Sequence, residues 1–133
     1  MISVGQKLGP VEKPAITSKQ LVQYAGASGD FNPIHYDDAF ARAGGFPSVI
    51  AHGMLSMAFF GQLLSDAFGP HRVLKISARF KAVTYPGDVI TVSGEVADKR
   101  QVGGERVVEV KLVARNQAGA VTLEGAATLV LPR

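Results

Sequence analysis

The sequence predicts an α+β domain in which an antiparallel sheet of about five strands curls around one buried central helix. The second half of the chain alternates apolar and polar residues with a period of two, as strands with one buried face do. Residues 53–68 form the longest helical candidate and are apolar on nearly every side, which is typical of a buried helix. A single sheet covers such a helix on most sides only by curling around it.

The first half of the chain is predicted to be mainly helical. A strand over residues 10–16 comes first, and Thr17 then provides the N-cap of a helix that ends by Gly29. Asp37 can cap a short second helix that runs through Ala43. These boundaries leave the residues between Gly29 and Asp37 as a loop.

The second half is predicted to consist of strands joined by tight turns. Pro86 and Gly87 suit the central positions of a type II turn, and Gly103-Gly104 marks a hairpin. Wrapped around the helix, these strands form the hot-dog architecture. The alternative, an open sandwich with the helix on a flat sheet, is disfavoured by the apolarity of residues 54–64. The predicted strands cover residues 76–82, 89–97, 108–114 and 121–131.

Length and composition indicate one globular domain over residues 1–133. The chain has 47% hydrophobic and 19% charged residues, which suits a folded domain with a single core. It contains no cysteine, and this excludes disulfides, thiolate metal sites and a cysteine nucleophile.

Charge and hydropathy narrow the expected partners and location. The net charge of +3 comes without a Lys/Arg run, so no nucleic-acid partner is expected. This mild positive charge is best explained as an ordinary solvated surface. A surface of this charge would also suit a phosphorylated small molecule or an acidic carrier protein as a partner. No stretch reaches the ~20 apolar residues of a membrane span, and no signal-peptide core is present. We therefore expect a cytoplasmic protein with no membrane partner.

A carboxylate and an imidazole lie five residues apart in the loop after the first helix. Gly29 and Pro33 keep this segment out of regular helix or strand, and such loops often aim side chains at ligands. Asp30 and His35 form a candidate acid–base pair that can activate a water molecule held between them. Asn32 is expected mainly to fix the loop through an Asx-type hydrogen bond, with a substrate contact as the alternative.

The start of the central helix offers a donor for a polarised carbonyl oxygen. The backbone N–H of Gly53 is one of the unpaired donors at the positive end of the helix dipole. Together with an activated water, such a donor suggests water addition or removal next to a carbonyl. His52, immediately before it, is interpreted as a structural residue that satisfies backbone groups at the helix start.

Neither a metal nor another cofactor is expected. His35, His52 and His71 do not show the i, i+4 spacing of a helical zinc site. Water addition next to a carbonyl requires no metal when an acid–base pair and an oxyanion donor are present.

Three blocks of the sequence resemble the MaoC-like dehydratases and (R)-specific enoyl-CoA hydratases. Residues 24–35 are similar to the signature loop of these enzymes, and residues 50–55 are similar to the start of their central helix. The third block, Arg79-Phe80-Lys81 followed by Pro86-Gly87-Asp88, is similar to their next strand and turn. The resemblance extends from about Val4 to Leu131 and supports the hot-dog fold.

The resemblance implies reversible hydration of a trans-2-enoyl thioester, carried by coenzyme A or acyl carrier protein, to an (R)-3-hydroxyacyl thioester. It implies that Asp30 and His35 are catalytic and that the Gly53 N–H is the oxyanion donor. It also implies a homodimer or higher homo-oligomer, or pairing with a related subunit. Some relatives carry a serine near Gly61, and Ser56 is therefore only a candidate substrate contact. The basic side chains that could contact carrier phosphates are Arg72, Lys75, Arg79 and Lys81.

Two other functions stay open at this point. A hot-dog thioesterase would use the same fold and substrate but attack the carbonyl carbon, usually with a differently placed carboxylate. A non-catalytic acyl-binding subunit would stabilise a related chain, and such a subunit would tend to lack Asp30 or His35. The presence of both residues favours the hydratase interpretation.

Overall fold

The computed structural model of the chain describes residues 2–70 and 72–132. Five strands, three α-helices and a short 3-10 turn make up this part of the chain. In chain order, the elements are β1 Lys7–Glu12, α1 Ser18–Ser28, the 3-10 turn Pro33–His35, α2 Asp38–Ala43, α3 Gly53–Phe68, β2 Val73–Phe80, β3 Thr91–Val102, β4 Glu105–Arg115 and β5 Val121–Leu131.

All five strands form one antiparallel sheet in the order β1-β3-β4-β5-β2. The last three strands of the chain form two hairpins, whereas β2 crosses to the outer side of β5. Helix α3 contacts β1, β2, β3 and β5, so the sheet curls around one side of the helix, as in the predicted hot-dog fold. The predicted fold class is confirmed.

The central helix is buried along one side and exposed along the other. Its buried side chains include Phe60 and Leu64, which have no exposed surface. Met54 on the opposite side is 56% exposed, and Ala58 and Gln62 are exposed with it. The prediction of a helix buried on nearly every side is therefore correct for only one face, because this chain's own sheet does not reach the other.

Local sequence signals set the helix boundaries. The Thr17 hydroxyl accepts a hydrogen bond from the N–H of Gln20, and Gly29 ends α1 with a left-handed φ of 75°. Asp37 caps α2, as predicted. Helix α3 begins at Gly53 and ends at Phe68, which confirms the predicted bounds.

The boundaries of four strands differ from the predicted ones, and only those of β5 match. Strand β2 covers Val73–Phe80 and not residues 76–82, and β4 covers Glu105–Arg115 and not residues 108–114. Strand β1 covers Lys7–Glu12 and not residues 10–16, and it ends before Pro14, which has no N–H to donate to a ladder. Ile16 still donates its N–H to the carbonyl of Asp88, so the segment follows the sheet edge. Strand β3 continues to Val102, five residues beyond the predicted end. Its last residues pair with β4 in an exposed two-stranded ribbon, and such residues need no alternation of apolar and polar side chains.

The loop between α1 and α3 is tied to its surroundings by the backbone. Ile50 donates its N–H to the carbonyl of Ile34, and Ala51 donates to the carbonyl of Thr84. The N–H of Val49 donates to the carboxylate of Asp38 at 2.9 Å. These bonds hold the segment before α3 against the loop after α1. Among residues 2–70 and 72–132, no helix is long and apolar enough to cross a membrane.

Candidate active site

Asp30 follows the left-handed residue that ends α1. The N–H of Gly29 donates to the carbonyl of Ala25, and the chain then leaves the helix axis. The N–H of Asp30 donates to the Ser28 hydroxyl at 3.2 Å, while Oδ1 of Asp30 accepts from the N–H of Asn32 at 3.2 Å. Local hydrogen bonds thus fix one carboxylate oxygen and leave Oδ2 for chemistry.

Asn32 holds the turn that leads to the candidate catalytic histidine. Its side-chain oxygen accepts from the N–H of Ile34 at 3.1 Å and caps the 3-10 turn Pro33–His35. This is the Asx-type bond that the sequence favours for Asn32. A direct contact between Asn32 and a substrate stays a prediction.

His35 is buried, and one hydrogen bond sets its tautomer. Its Nδ1 lies 2.7 Å from the carbonyl oxygen of Ile50. A carbonyl oxygen only accepts hydrogen bonds, so Nδ1 carries the hydrogen and donates it. In the neutral ring, Nε2 then has the free lone pair, and it lies 3.7 Å from Oδ2 of Asp30.

This arrangement can hold a water molecule between two acceptors. The separation of 3.7 Å between Nε2 of His35 and Oδ2 of Asp30 is too long for a direct hydrogen bond. A water that donates one hydrogen to each atom would direct its lone pairs away from both. The pair can then accept one proton from the water and deliver one elsewhere.

His52 is a member of this site that the sequence interpretation assigned to another role. It stands at the N-cap of α3 but makes no side-chain hydrogen bond to the helix, so the expectation that it satisfies backbone groups at the helix start is wrong. Its Nε2 lies 3.2 Å from the backbone carbonyl oxygen of Asp30. Its ring stacks on the ring of His35, with centroids 3.7 Å apart and an interplanar angle of 21°. Tyr24 packs against it edge-on.

The surroundings of His52 favour its neutral form. Burial lowers the pKa of His52 below its ordinary value of 6.5, the hydrogen bond with the Asp30 carbonyl raises it, and the nearby His35 lowers it. Burial has the largest effect, so the net direction is downward. Only 2% of His52 is exposed, so water does little to solvate a charged ring.

Asp30, His35 and His52 also bring one potential metal ligand each within 4.8 Å of one another. Their orientation suits a metal ion poorly. Nε2 of His52 is engaged with the Asp30 carbonyl and its Nδ1 is buried, which leaves Asp30 and His35 as two ligands, fewer than a zinc site uses. The prediction that the site works without a metal is kept as part of the proposal below.

Gly53 begins α3 and borders a small pocket. A methyl group at position 53 would lie 2.7 Å from Cε1 of Phe80, whose ring lies against this exposed residue. The pocket has a volume of about 170 Å³, and Ser56, with only 6% of its surface exposed, contributes to its wall. Thr84 and Leu123 line it from the side of the sheet. The structure thus brings Gly53 and Ser56 to one cavity, next to His52.

The candidate basic residues lie elsewhere. Phe80 and Ala82 line the pocket, whereas Arg79 and Lys81, which alternate with them, do not. Nζ of Lys81 lies 3.9 Å from a carboxylate oxygen of Glu124. Contact of these cations with a carrier phosphate outside the pocket stays a prediction.

Comparisons with known proteins agree with this fold. A family model described as "MaoC like domain" matches residues 2–118. The chain is 34% identical over 123 residues to an (R)-specific enoyl-CoA hydratase of Rhodospirillum rubrum, covering 88% of this chain and 81% of that protein. It is 30% identical over 129 residues to a mitochondrial 3-hydroxyacyl-(acyl-carrier-protein) dehydratase of Arabidopsis thaliana, covering 95% and 78%. The chain also matches two much longer relatives, and the match covers only 9% and 3% of their lengths.

A solved structure has the same fold over its full length. The (R)-hydratase from Aeromonas caviae involved in PHA biosynthesis superposes with a TM-score of 0.88 at 32% identity, covering 98% of both chains. The fold is that of a hot-dog domain, and the pair of Asp30 and His35 forms its candidate acid–base site. The chain belongs to the MaoC-like family of hydratases and dehydratases, and the resemblance seen in the sequence is confirmed.

Proposed function

We propose that the chain, as one hot-dog unit, catalyses the reversible hydration of trans-2-enoyl thioesters to (R)-3-hydroxyacyl thioesters. The observation that carries this proposal is the separation of 3.7 Å between Oδ2 of Asp30 and Nε2 of His35, both free to accept from one water. The proposed reaction needs no metal or other cofactor.

The water adds across the carbon–carbon double bond. Its oxygen bonds to the β-carbon while one of its protons passes to the pair of Asp30 and His35. The same pair returns a proton to the α-carbon, so the net change is one H and one OH added to the alkene. Because the two groups share protons, acid and base roles belong to the pair.

The backbone N–H of Gly53 stabilises the negative charge that develops on the thioester oxygen in this step. As the β-carbon is attacked, negative charge develops on the thioester oxygen in an enolate. The N–H of Gly53 has no carbonyl partner within the first turn of α3, so it is available to donate to that oxygen. A donor of this kind contributes about 3–4 kcal/mol to the transition state.

The acyl group enters the pocket beside Gly53. Its walls combine apolar side chains with the Ser56 hydroxyl, which makes Ser56 a candidate substrate contact. Asn32 is a second candidate at the loop, and Arg79 and Lys81 are candidates for the carrier phosphates. Relatives named for coenzyme A and for acyl carrier protein support either carrier. We expect the protein to act in the cytoplasm.

A second hot-dog chain completes the functional unit, either another copy or a related subunit. Strand β2 is at the sheet edge and exposes Leu74 at 68% and Phe80 at 56%. Met54, on the uncovered side of α3, is 56% exposed. Exposed apolar side chains on a strand edge call for a covering partner.

A hydration assay of the purified chain tests the proposed function. Crotonyl-CoA should lose the absorbance of its conjugated thioester, and chiral analysis should identify the (R)-3-hydroxy product. Butyryl-CoA, which has no double bond, is the matched control and should be unchanged. Release of free coenzyme A from butyryl-CoA would indicate a thioesterase, and absence of any hydration would contradict the proposal.

A further inference from the structure

Both members of the acid–base pair contact His52. Its ring covers one face of the His35 ring at a centroid distance of 3.7 Å. Its Nε2 lies 3.2 Å from the backbone carbonyl oxygen of Asp30. One buried side chain therefore touches the ring of one catalytic candidate and the main chain of the other.

The hydrogen-bond partners define the protonation of His52. The carbonyl of Asp30 only accepts, so Nε2 of His52 carries a hydrogen. Nδ1 of His52 is buried and has no hydrogen-bond partner among the described residues. A proton on Nδ1 would leave a buried N–H unsatisfied and a positive charge against His35, so the neutral Nε2–H form fits this environment.

We propose that His52 is a positioning residue that holds the Asp30 backbone by a hydrogen bond and the His35 ring by stacking. This inference rests on the proposed hydratase function, since it assigns His52 to the same site. His52 borders the pocket beside Gly53, but it transfers no proton in this scheme, because its Nε2 is engaged with the Asp30 carbonyl and its Nδ1 is buried. It sets the separation and the relative angle of the two groups that transfer protons.

Positioning by His52 requires a flat ring that carries a donor and no charge. The titratable groups that face it are the carboxylate of Asp30, the ring of His35 and the phenol of Tyr24. A flexible or charged side chain at position 52 would change the separation and the relative angle of Asp30 and His35. A shift of about 1 Å between reacting groups is enough to cost on the order of 10² in rate.

Three substitutions separate the two contacts. His52→Gln keeps an N–H donor without the stacked ring, His52→Phe keeps a stacked ring without the donor, and His52→Ala loses both. We expect His52→Ala to lower kcat by about 10- to 100-fold with KM changed less than about threefold. We expect the Gln and Phe variants each to recover part of that loss.

Leu55→Ala is the matched control. Leu55 is buried in the same first turn of α3, and it does not line the pocket beside Gly53. Its truncation should lower the melting temperature without lowering kcat in the folded fraction. A kcat of His52→Ala within twofold of that control would overturn the positioning role.

Nitrogen-15 NMR of the histidine rings tests the inference without reference to activity. In the wild-type protein, His52 should be neutral with its hydrogen on Nε2, and His35 should carry its hydrogen on Nδ1. In His52→Ala, the His35 ring should keep its Nδ1–H bond to the Ile50 carbonyl but lose its fixed orientation, which should broaden its ring resonances. Unchanged linewidths of the His35 ring would overturn the inference. If the wild-type chain shows no hydration while the His35 ring responds as expected, the proposed function fails and the positioning contact stands.

Discussion

Oδ2 of Asp30 lies 3.7 Å from Nε2 of His35, although the two side chains meet solvent very differently. The Asp30 side chain is 52% exposed, whereas His35 is buried and anchored to the Ile50 carbonyl. Because Nδ1 of His35 donates to the Ile50 carbonyl, the buried ring is held in one orientation, with Nε2 facing Oδ2 of Asp30. The exposed carboxylate leaves room for a water molecule and a substrate above it.

Substitution of either partner should abolish most of the activity. We expect Asp30→Asn and His35→Ala each to lower turnover of crotonyl-CoA by ~10²–10⁴, because each removes one proton-transfer group. Circular dichroism should show an unchanged fold. Asp37→Asn is the control, since this nearby carboxylate caps α2 and asparagine caps a helix equally well. A principal acid–base role is contradicted for any residue whose variant keeps more than a tenth of wild-type turnover.

The conformation of Gly29 provides a stability prediction with a matched control. Gly29 has a φ of 75° and open space around it, so an added methyl group meets no atom but strains the backbone. We expect Gly29→Ala to lower the free energy of unfolding by about 1 kcal/mol and to reduce turnover by shifting Asp30. Gly26, also in open space but inside α1, should gain up to about 1 kcal/mol on substitution by alanine.

Urea denaturation of both glycine variants measures these opposite signs. A destabilised Gly26→Ala or a stabilised Gly29→Ala would show that the helix end is not held as described. Turnover of Gly26→Ala should equal that of the wild type, because its methyl group points into open space.

Signals confined to a few neighbouring residues could be recognised in the sequence. The caps Thr17 and Asp37 and the glycine after α1 set helix bounds that the structure confirms. The proximity of Asp30 and His35 was also predictable, because the turn residues Asn32 and Pro33 between them favour a turn that folds this short segment back. These features depend on local hydrogen bonds and backbone geometry.

Tertiary relationships could not be read in the same way. His52 lies seventeen residues after His35, and its ring reaches the site only because backbone bonds draw the segment before α3 against the catalytic loop. Likewise, Phe80 lies against Gly53 only because β2 runs beside α3. Neither contact can be predicted from a local pattern in the sequence.

The apolar edge of the sheet predicts association. We expect light scattering to report at least twice the mass of one chain, since Leu74 on the edge strand β2 is 68% exposed. Leu74→Lys should shift the protein toward monomer. Val102→Lys is the control, because Val102 is 55% exposed on the β3–β4 hairpin, which β4 and β5 separate from β2, and should leave the mass unchanged. A fully active wild-type monomer would contradict the expected association.

The lowered pKa of His52 predicts a pH dependence of stability. Because the pKa of His52 in the folded chain is below its ordinary 6.5, the unfolded state binds the proton more readily. The free energy of unfolding should therefore fall as the pH drops below 6.5, and this contribution should be absent at higher pH. His52→Gln has no such group, so acidification should destabilise it less than the wild type.

Thermal unfolding at pH 8.0 and pH 5.5, chosen on either side of about 6.5, compares the two proteins. Asp30, His35 and Tyr24 are present in both, so the difference between the two slopes reports mainly on His52. Equal losses of stability in wild type and His52→Gln would contradict the depressed pKa of this ring.

The contact of Gly53 with Phe80 allows the oxyanion role to be tested by adding a side chain. In Gly53→Ala, the new methyl group would lie 2.7 Å from Cε1 of Phe80. That ring is 56% exposed and can turn away, so the loss of stability should be small. Turnover should fall by ~10²–10³, because the methyl group stands where the thioester oxygen approaches the N–H.

The double variant Gly53→Ala with Phe80→Ala separates the two explanations of such a loss. Removal of the ring eliminates the clash inside the protein but leaves the methyl group beside the N–H. If Gly53 is the oxyanion donor, the double variant should stay ~10²–10³ below Phe80→Ala alone in kcat. Recovery to the level of Phe80→Ala would mean that the methyl group acts only by displacing the ring, and the oxyanion donor would have to be sought at another backbone N–H.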